Sequence, residues 1–116
     1  MAFQGSCHCG AVKFSVDADL PKEAMSCNCS ICRRKGMLMA FFPVAKFTLA
    51  QGEDALQTYQ FNKHRLSHRF CKTCGILPFG EGVDPKGNRM AAINIRVLDG
   101  IELEKIPIQR YNGRAS

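Results

Sequence analysis

The chain has 116 residues, of which 46% are hydrophobic, and its formal net charge is +6. This length supports one hydrophobic core and is too short for two ordinary domains, so we expect one domain over residues 1–116. No run approaches the roughly 18 apolar residues of a membrane span, and the start lacks the pattern of a secretory leader. The sequence therefore predicts a soluble protein of the cytoplasm.

Short apolar runs separated by turn residues predict a mainly β fold, because strand signals recur about every ten residues without a competing helical period. The predicted strands, in chain order, are residues 11–16, 37–42, 47–50, 56–61 and 89–97. The predicted connections are a loop over 17–24, one helical turn over 30–35, a turn over 51–54, an exposed loop over 80–87 and a turn at Asp99-Gly100.

Seven cysteines stand out in so short a chain. Their number is odd and no secretory signal precedes them, which favours metal ligation over a disulfide framework. They fall into three groups with tight spacing, which are Cys7-His8-Cys9, Cys27-Asn28-Cys29-Ser30-Ile31-Cys32 and Cys71-Lys72-Thr73-Cys74. Zinc or another thiophilic metal is the ion that such groups bind.

The two outer pairs, Cys7 with Cys9 and Cys71 with Cys74, can together supply four thiolates to one tetrahedral ion. Gly75 can adopt a positive φ and so turn the following amides toward the sulfurs. A four-thiolate shell has no vacant position for a substrate, so this site is predicted to be structural. It would close a loop of about 60 residues.

The central group, Cys27, Cys29 and Cys32, offers only three sulfurs, which leaves one coordination position of a zinc ion open for water or a thiolate. Catalysis needs such an opening. The alternative is that His64, His68 or a partner chain completes this shell and makes the second site structural too. We otherwise expect the three histidines, His8 among them, to lie at the surface or beside the ligands.

Arg33, Arg34 and Lys35 follow the central group directly, and their cations would offset thiolate charge, lower thiol pKa values and attract an anionic ligand. A charge run of this length also serves simply as a solvated face. Metal binding would lower the net positive charge of the chain. Seven ionised thiols and two zinc ions would together reduce the net charge by three, from +6 to +3.

At these cysteines the chain resembles the glutathione-dependent formaldehyde-activating enzyme family, which includes centromere protein V. The matching segments are Gly5-Ser6-Cys7-His8-Cys9-Gly10-Ala11-Val12-Lys13-Phe14, Cys27-Asn28-Cys29-Ser30-Ile31-Cys32-Arg33-Arg34, Phe70-Cys71-Lys72-Thr73-Cys74-Gly75 and Ala92-Ile93-Asn94-Ile95-Arg96. The resemblance implies several small coiled β-sheets, structural zinc on the outer four cysteines and a second zinc on the central three, where glutathione binds.

The resemblance further implies a carbon–sulfur lyase that joins glutathione and formaldehyde into S-hydroxymethylglutathione, with Arg33 and Arg34 near the tripeptide's carboxylates. The thiol or aldehyde could also be a related one, and a pure glutathione carrier would have the same sequence features. No general base is identifiable.

Two other classes of function remain open. A zinc-stabilised module that binds nucleic acid or protein would fit the basic balance, but no long basic tail or aromatic stacking platform is visible, so nucleic acid is the less favoured partner. Alternatively, the three central cysteines could be a redox or metal-sensing group that forms a disulfide when the metal leaves. A salt-sensitive shift with DNA would favour the first, and reversible oxidation of those thiols the second.

Overall fold

The computed structural model describes residues 2–27, 34, 36–60, 66–83 and 86–111, without the side chains of residues 27, 60, 66 and 111. Within these residues it contains ten strands and four single turns of 3-10 helix, which confirms the predicted mainly β class. The strands are β1 (Phe3–Ser6), β2 (Lys13–Val16), β3 (Ala24–Cys27), β4 (Met39–Pro43), β5 (Phe47–Gln51), β6 (Leu56–Gln60), β7 (Leu66–Cys71), β8 (Phe79–Val83), β9 (Arg89–Asn94) and β10 (Ile108–Tyr111). The 3-10 turns are η1 (Val44–Lys46), η2 (Glu53–Ala55), η3 (Ile95–Val97) and η4 (Leu103–Lys105). No helix in the described ranges is long and apolar enough to cross a membrane.

The described strands form a small sheet with the order β1-β2-β5 and a large sheet with the order β10-β3-β4-β9-β8-β7-β6. Neighbouring strands are antiparallel, except that β10 runs parallel to β3. The alternation of directions puts the carboxyl ends of β3, β7 and β9 at one edge of the large sheet. Cys27, Cys71 and Asn94 are the last residues of these strands, so this edge carries the first cysteine of each of two groups.

The core lies between the two sheets and is built on aromatic side chains. Phe14 of β2 and Phe47 of β5 stack with ring centroids 5.5 Å apart, and Phe79 of the large sheet lies 4.6 Å from the ring of Phe47. The predicted alternation along β2 is correct, since Phe14 and Val16 are buried while Lys13 is exposed. Burial of one face of β2 therefore fixes its register against β1 and β5 of the small sheet.

The predicted exposed loop over residues 80–87 is wrong in its first half, because β8 runs through the middle of the large sheet. Glycine is uncommon inside strands, and this composition favours a loop when only the sequence is considered. Here Gly80 is buried, and Glu81 forms ion pairs with Arg69 at 3.5 Å and Arg89 at 3.6 Å. Pairing with β7 and β9 thus overrides local propensity.

The other predicted strands correspond to β2, β4, β5, β6 and β9, with shifted ends. The strand predicted over 89–97 stops at Asn94, whose side chain accepts a hydrogen bond from the Arg96 amide at 3.2 Å and starts η3. The sequence pattern missed β1, β3, β7 and β10, which have no clear alternation. The helical turn predicted over 30–35 lies outside the described residues, apart from Arg34, and so does the tail after residue 111.

Gly52 sits at the turn between β5 and η2 with φ of +100°, and a Cβ there would press on the carbonyl oxygen of Ala11 and lie 2.6 Å from Val12 Cα. Both obstacles are backbone atoms, which cannot move aside. We expect Gly52→Ala to lower the free energy of unfolding by about 3 kcal/mol or more. Chemical denaturation measures this change.

Gly100→Ala is the matched control, because Gly100 also has a positive φ, +75°, but a Cβ there meets nothing within 4 Å. Its cost should be only the left-handed strain of a non-glycine residue, about 1–2 kcal/mol. Equal losses in the two variants would show that the close approach of Gly52 to the segment after Cys9 is unimportant.

Candidate metal centre

The first pair of cysteines lies in the connection between β1 and β2. This connection turns tightly, since the Gly10 amide donates to the Cys7 carbonyl at 3.2 Å and Gly10 has φ of +81°. The Cys7 amide donates to the Val12 carbonyl at 3.1 Å, and the Val12 amide donates to Cys7 Sγ at 3.4 Å. Gln51 of β5 donates to the Gly10 carbonyl at 3.0 Å and ties the turn to the small sheet.

The second pair lies in the turn after β7 and has the same local design. The Gly75 amide donates to the Cys71 carbonyl at 2.7 Å, and the Cys71 amide donates to the Ile76 carbonyl at 2.8 Å. Gly75 has φ of +80°, as its place after the second cysteine predicts. The Lys72 amide donates to the Ala55 carbonyl at 2.8 Å, which anchors this turn beside η2.

The two turns bring their four sulfurs together. The Sγ atoms of Cys7, Cys9, Cys71 and Cys74 all lie within 4.8 Å of one another, and Cys9 Sγ is 3.6 Å from both Cys7 Sγ and Cys71 Sγ. Four sulfurs at the usual Zn–S distance of about 2.3 Å would be about 3.8 Å apart at the corners of a tetrahedron. The residues present therefore have the donor type, number and spacing to hold one zinc ion.

The four-sulfur cluster is buried by the protein on one side and exposed to solvent on the other. Cys7 and Cys71 are buried, with 3% and 0% of their surface exposed, Cys74 is partly buried, and Cys9 is exposed. Cys7 leaves β1 of the small sheet, and Cys71 ends β7 of the large sheet. An ion held by all four sulfurs would therefore fasten one sheet to the other.

The sulfurs do not ionise independently. The backbone amide at Ala11 favours the Cys9 thiolate, but desolvation and the thiols around it outweigh that amide and raise the pKa of Cys9 to about 12. The Cys74 amide lowers the pKa of Cys71. Burial opposes ionisation of Cys74, yet the amides at Cys9 and Ile76, with the neighbouring thiols, lower its pKa to about 6. Thiolate charge is thus favoured at Cys71 and Cys74 and opposed at Cys9. A cation bound between the sulfurs would stabilise the thiolate form of all three.

The structure describes only one of the three central cysteines. Cys27 is the last residue of β3, and its backbone pairs with Tyr111 of β10, whereas Cys29, Cys32 and Arg33 lie outside the described residues. Arg34 is exposed. In the strand order of the large sheet, β3 and β7 are separated by four strand spacings, about 19 Å measured along the sheet.

The histidines take no part in the four-sulfur cluster, as far as the described residues show. His8 lies between two cluster cysteines and is exposed. His68 lies in the middle of β7, opposite Tyr59 and Gly80, with 1% of its surface exposed. His68 therefore does not lie at the surface, which was one of the two positions expected for the histidines, while His64 lies outside the described residues.

Sequence reasoning missed two residues that connect the cysteine segments. Asn94 is buried and donates through Nδ2 to the Leu77 carbonyl at 2.9 Å, and Arg96 donates through Nε to the Gly36 carbonyl at 2.9 Å. Both residues lie in the segment 92–96, which resembles the family. The spacing of residues in this segment does not indicate which distant residues Asn94 and Arg96 contact.

Comparisons with known proteins identify one family and one similar fold. The model of one protein family, described as glutathione-dependent formaldehyde-activating enzyme, matches residues 2–111. A curated protein of Halomonas elongata, provisionally named as such an enzyme, is 33% identical over 82 residues, in an alignment that covers 64% of this chain and 52% of the relative. The chain thus matches about half the length of that relative. A crystal structure of a Rhodobacter sphaeroides protein has a TM-score of 0.77 and 31% identity, covering 91% of this chain and 99% of that one.

Proposed function

This chain belongs to the glutathione-dependent formaldehyde-activating enzyme family, and from that membership we propose that it is a carbon–sulfur lyase that joins glutathione and formaldehyde reversibly into S-hydroxymethylglutathione. The observation that carries the proposal is the family match over residues 2–111, which includes all seven cysteines. A related thiol or aldehyde would need the same chemistry. Cysteines that serve as metal ligands suit a reducing compartment, so a cytoplasmic location is part of the proposal.

Cys7, Cys9, Cys71 and Cys74 are the proposed ligands of a structural zinc ion. Their sulfurs converge from two turns of the same design, and two of the four are buried. A complete thiolate shell leaves no position for a substrate. This site therefore supports the fold and holds the large sheet in place, without taking part in the reaction.

Cys27, Cys29 and Cys32 are the proposed ligands of a second zinc ion and the catalytic group. Their spacing lets one short segment present three sulfurs, and β3 delivers the first of them to the edge of the large sheet. What zinc supplies when bound there is Lewis acidity and a lower pKa for a thiol that joins the shell. The four strand spacings between β3 and β7 support the proposal that this group is separate from the structural one.

The proposed reaction is addition of a thiol to a carbonyl. The glutathione thiol gives up its proton, its sulfur attacks the carbonyl carbon of formaldehyde, and the oxygen takes up a proton as the C–S bond forms. The reverse reaction breaks that bond and returns both reactants. Because a thiolate adds readily to formaldehyde, the protein accelerates the reaction mainly by orienting the two reactants. Arg33 and Arg34 are the proposed partners of the glutathione carboxylates.

Exchange spectroscopy with ¹³C-formaldehyde and glutathione tests this function, because it measures adduct formation and breakdown at equilibrium. We expect catalytic amounts of the protein to raise the exchange rate at least about tenfold above the uncatalysed rate. The same reactants with serum albumin at equal thiol concentration serve as the control. Glutathione binding without faster exchange would make the protein a carrier, and neither binding nor faster exchange would refute the proposal.

A further inference from the structure

The turn that follows β9 contacts two segments of the chain that lie far apart in sequence. Asn94 Nδ2 donates to the carbonyl of Leu77, which follows the second cysteine turn, and the Ile95 amide donates to the Leu38 carbonyl at 2.8 Å. Arg96 Nε donates to the carbonyl of Gly36. Gly36 comes four residues after Cys32 in the sequence, so this turn fixes the chain just beyond the three central cysteines.

Arg96 is held by its backbone as well as by its side chain. Its amide donates to Asn94 Oδ1 at 3.2 Å, and Asn94 has only 7% of its surface exposed. Both ends of the Asn94 amide group are therefore satisfied, and breaking either bond would leave a buried polar atom without a partner. Arg96 thus projects from a turn whose conformation is well determined.

The guanidinium of Arg96 retains most of its binding capacity. An arginine side chain has five N–H donors in a planar fork, and the bond to Gly36 uses only Nε. Arg96 is exposed and makes no ion pair with any residue in the described part of the chain. Its two Nη groups are oriented by the Nε bond and can donate side by side, which is the geometry that a carboxylate accepts.

We propose that Arg96 binds a carboxylate of glutathione, and this inference rests on the proposed function. Arg96 would be a specificity residue that comes from a turn 60 residues beyond Gly36, in addition to the two arginines adjacent to Cys32. Glutathione has two carboxylates at its opposite ends, so one cationic position cannot serve both. Arg96 contacts Gly36, which comes four residues after Cys32 in the sequence, and so supplies a cationic position in addition to Arg33 and Arg34.

Calorimetric titration with glutathione and with glutathione diethyl ester tests the inference, since the ester keeps the thiol and the peptide but lacks both carboxylates. We expect Arg96→Met to weaken glutathione binding on the order of tenfold and to leave the weaker binding of the ester unchanged. Arg96→Lys should lose a smaller part, because it keeps the cation without the planar fork. Thermal unfolding of each variant monitors the fold, and the lysine variant carries the test if the methionine variant does not fold.

Arg89→Met is the matched control, because Arg89 is an exposed arginine at the opposite end of β9. It should bind both ligands as the wild type does. Equal weakening of glutathione and of its ester by Arg96→Met would show that Arg96 acts only through the Gly36 segment, which overturns the inference, and so would unchanged binding of both. Failure of the wild type to bind glutathione would instead refute the proposed function, and the inference with it.

Discussion

Cys71→Ser should leave the protein unfolded under conditions in which the wild type is folded. Cys71 is completely buried, belongs to the main core and lies within the four-sulfur cluster. Binding of structural zinc contributes on the order of 10 kcal/mol or more to folding, which is comparable to the entire stability of a small domain. Far-ultraviolet circular dichroism with added zinc measures the result.

Cys32→Ser is the control for this experiment, because Cys32 belongs to the proposed central site. It should keep the dichroism spectrum and the unfolding midpoint of the wild type. The wild type should also unfold when a strong chelator removes its metal. A folded Cys71→Ser protein with an unchanged midpoint would show that the four-sulfur cluster does not support the fold.

Cys27→Ser should abolish the acceleration of adduct exchange while the fold remains intact. Loss of one of three thiolates removes a ligand from the proposed catalytic zinc, and changes even to groups that merely support ligands cost about 10–100-fold. We therefore expect the exchange rate to fall to the uncatalysed rate, a loss of at least about tenfold. The backbone pairing of Cys27 with Tyr111 does not depend on the side chain, so β3 should persist.

Ser30→Ala is the matched control, since residue 30 lies between the central cysteines but offers no thiolate. Its exchange rate should stay within a few fold of the wild type. Comparable activity in Cys27→Ser and the wild type would exclude the central group from catalysis. Comparable loss in both variants would mean that any change in this segment disturbs the site, and the assignment of individual ligands would then fail.

The sequence was sufficient to group the outer cysteines, because tetrahedral thiolate ligation leaves few ways to arrange them. Each outer pair is followed by a glycine, and Gly10 and Gly75 both have the positive φ that the tight turn needs. The alternation at Phe14 and Val16 likewise predicted β2 and its buried face. These features are local, so neighbouring residues in the sequence determine them.

The features that the sequence did not reveal depend on contacts between distant residues. β8 has two glycines in five residues and becomes a strand because β7 and β9 pair with it on both sides. The bond from Arg96 to Gly36 joins residues 60 positions apart, and no spacing rule predicts it. His68 gives no sequence sign of its burial either, because that depends on the position of β7 inside the large sheet.

Zinc content per chain, measured by elemental analysis on the wild type and on Cys27→Ser, tests the division of labour between the two cysteine groups most directly. We expect two zinc ions in the wild type and one in the variant, with the fold retained. One zinc ion in both proteins would leave the central group without metal and contradict the proposed catalytic site. Loss of both ions and of the fold in Cys27→Ser would contradict the separation of a structural from a functional site.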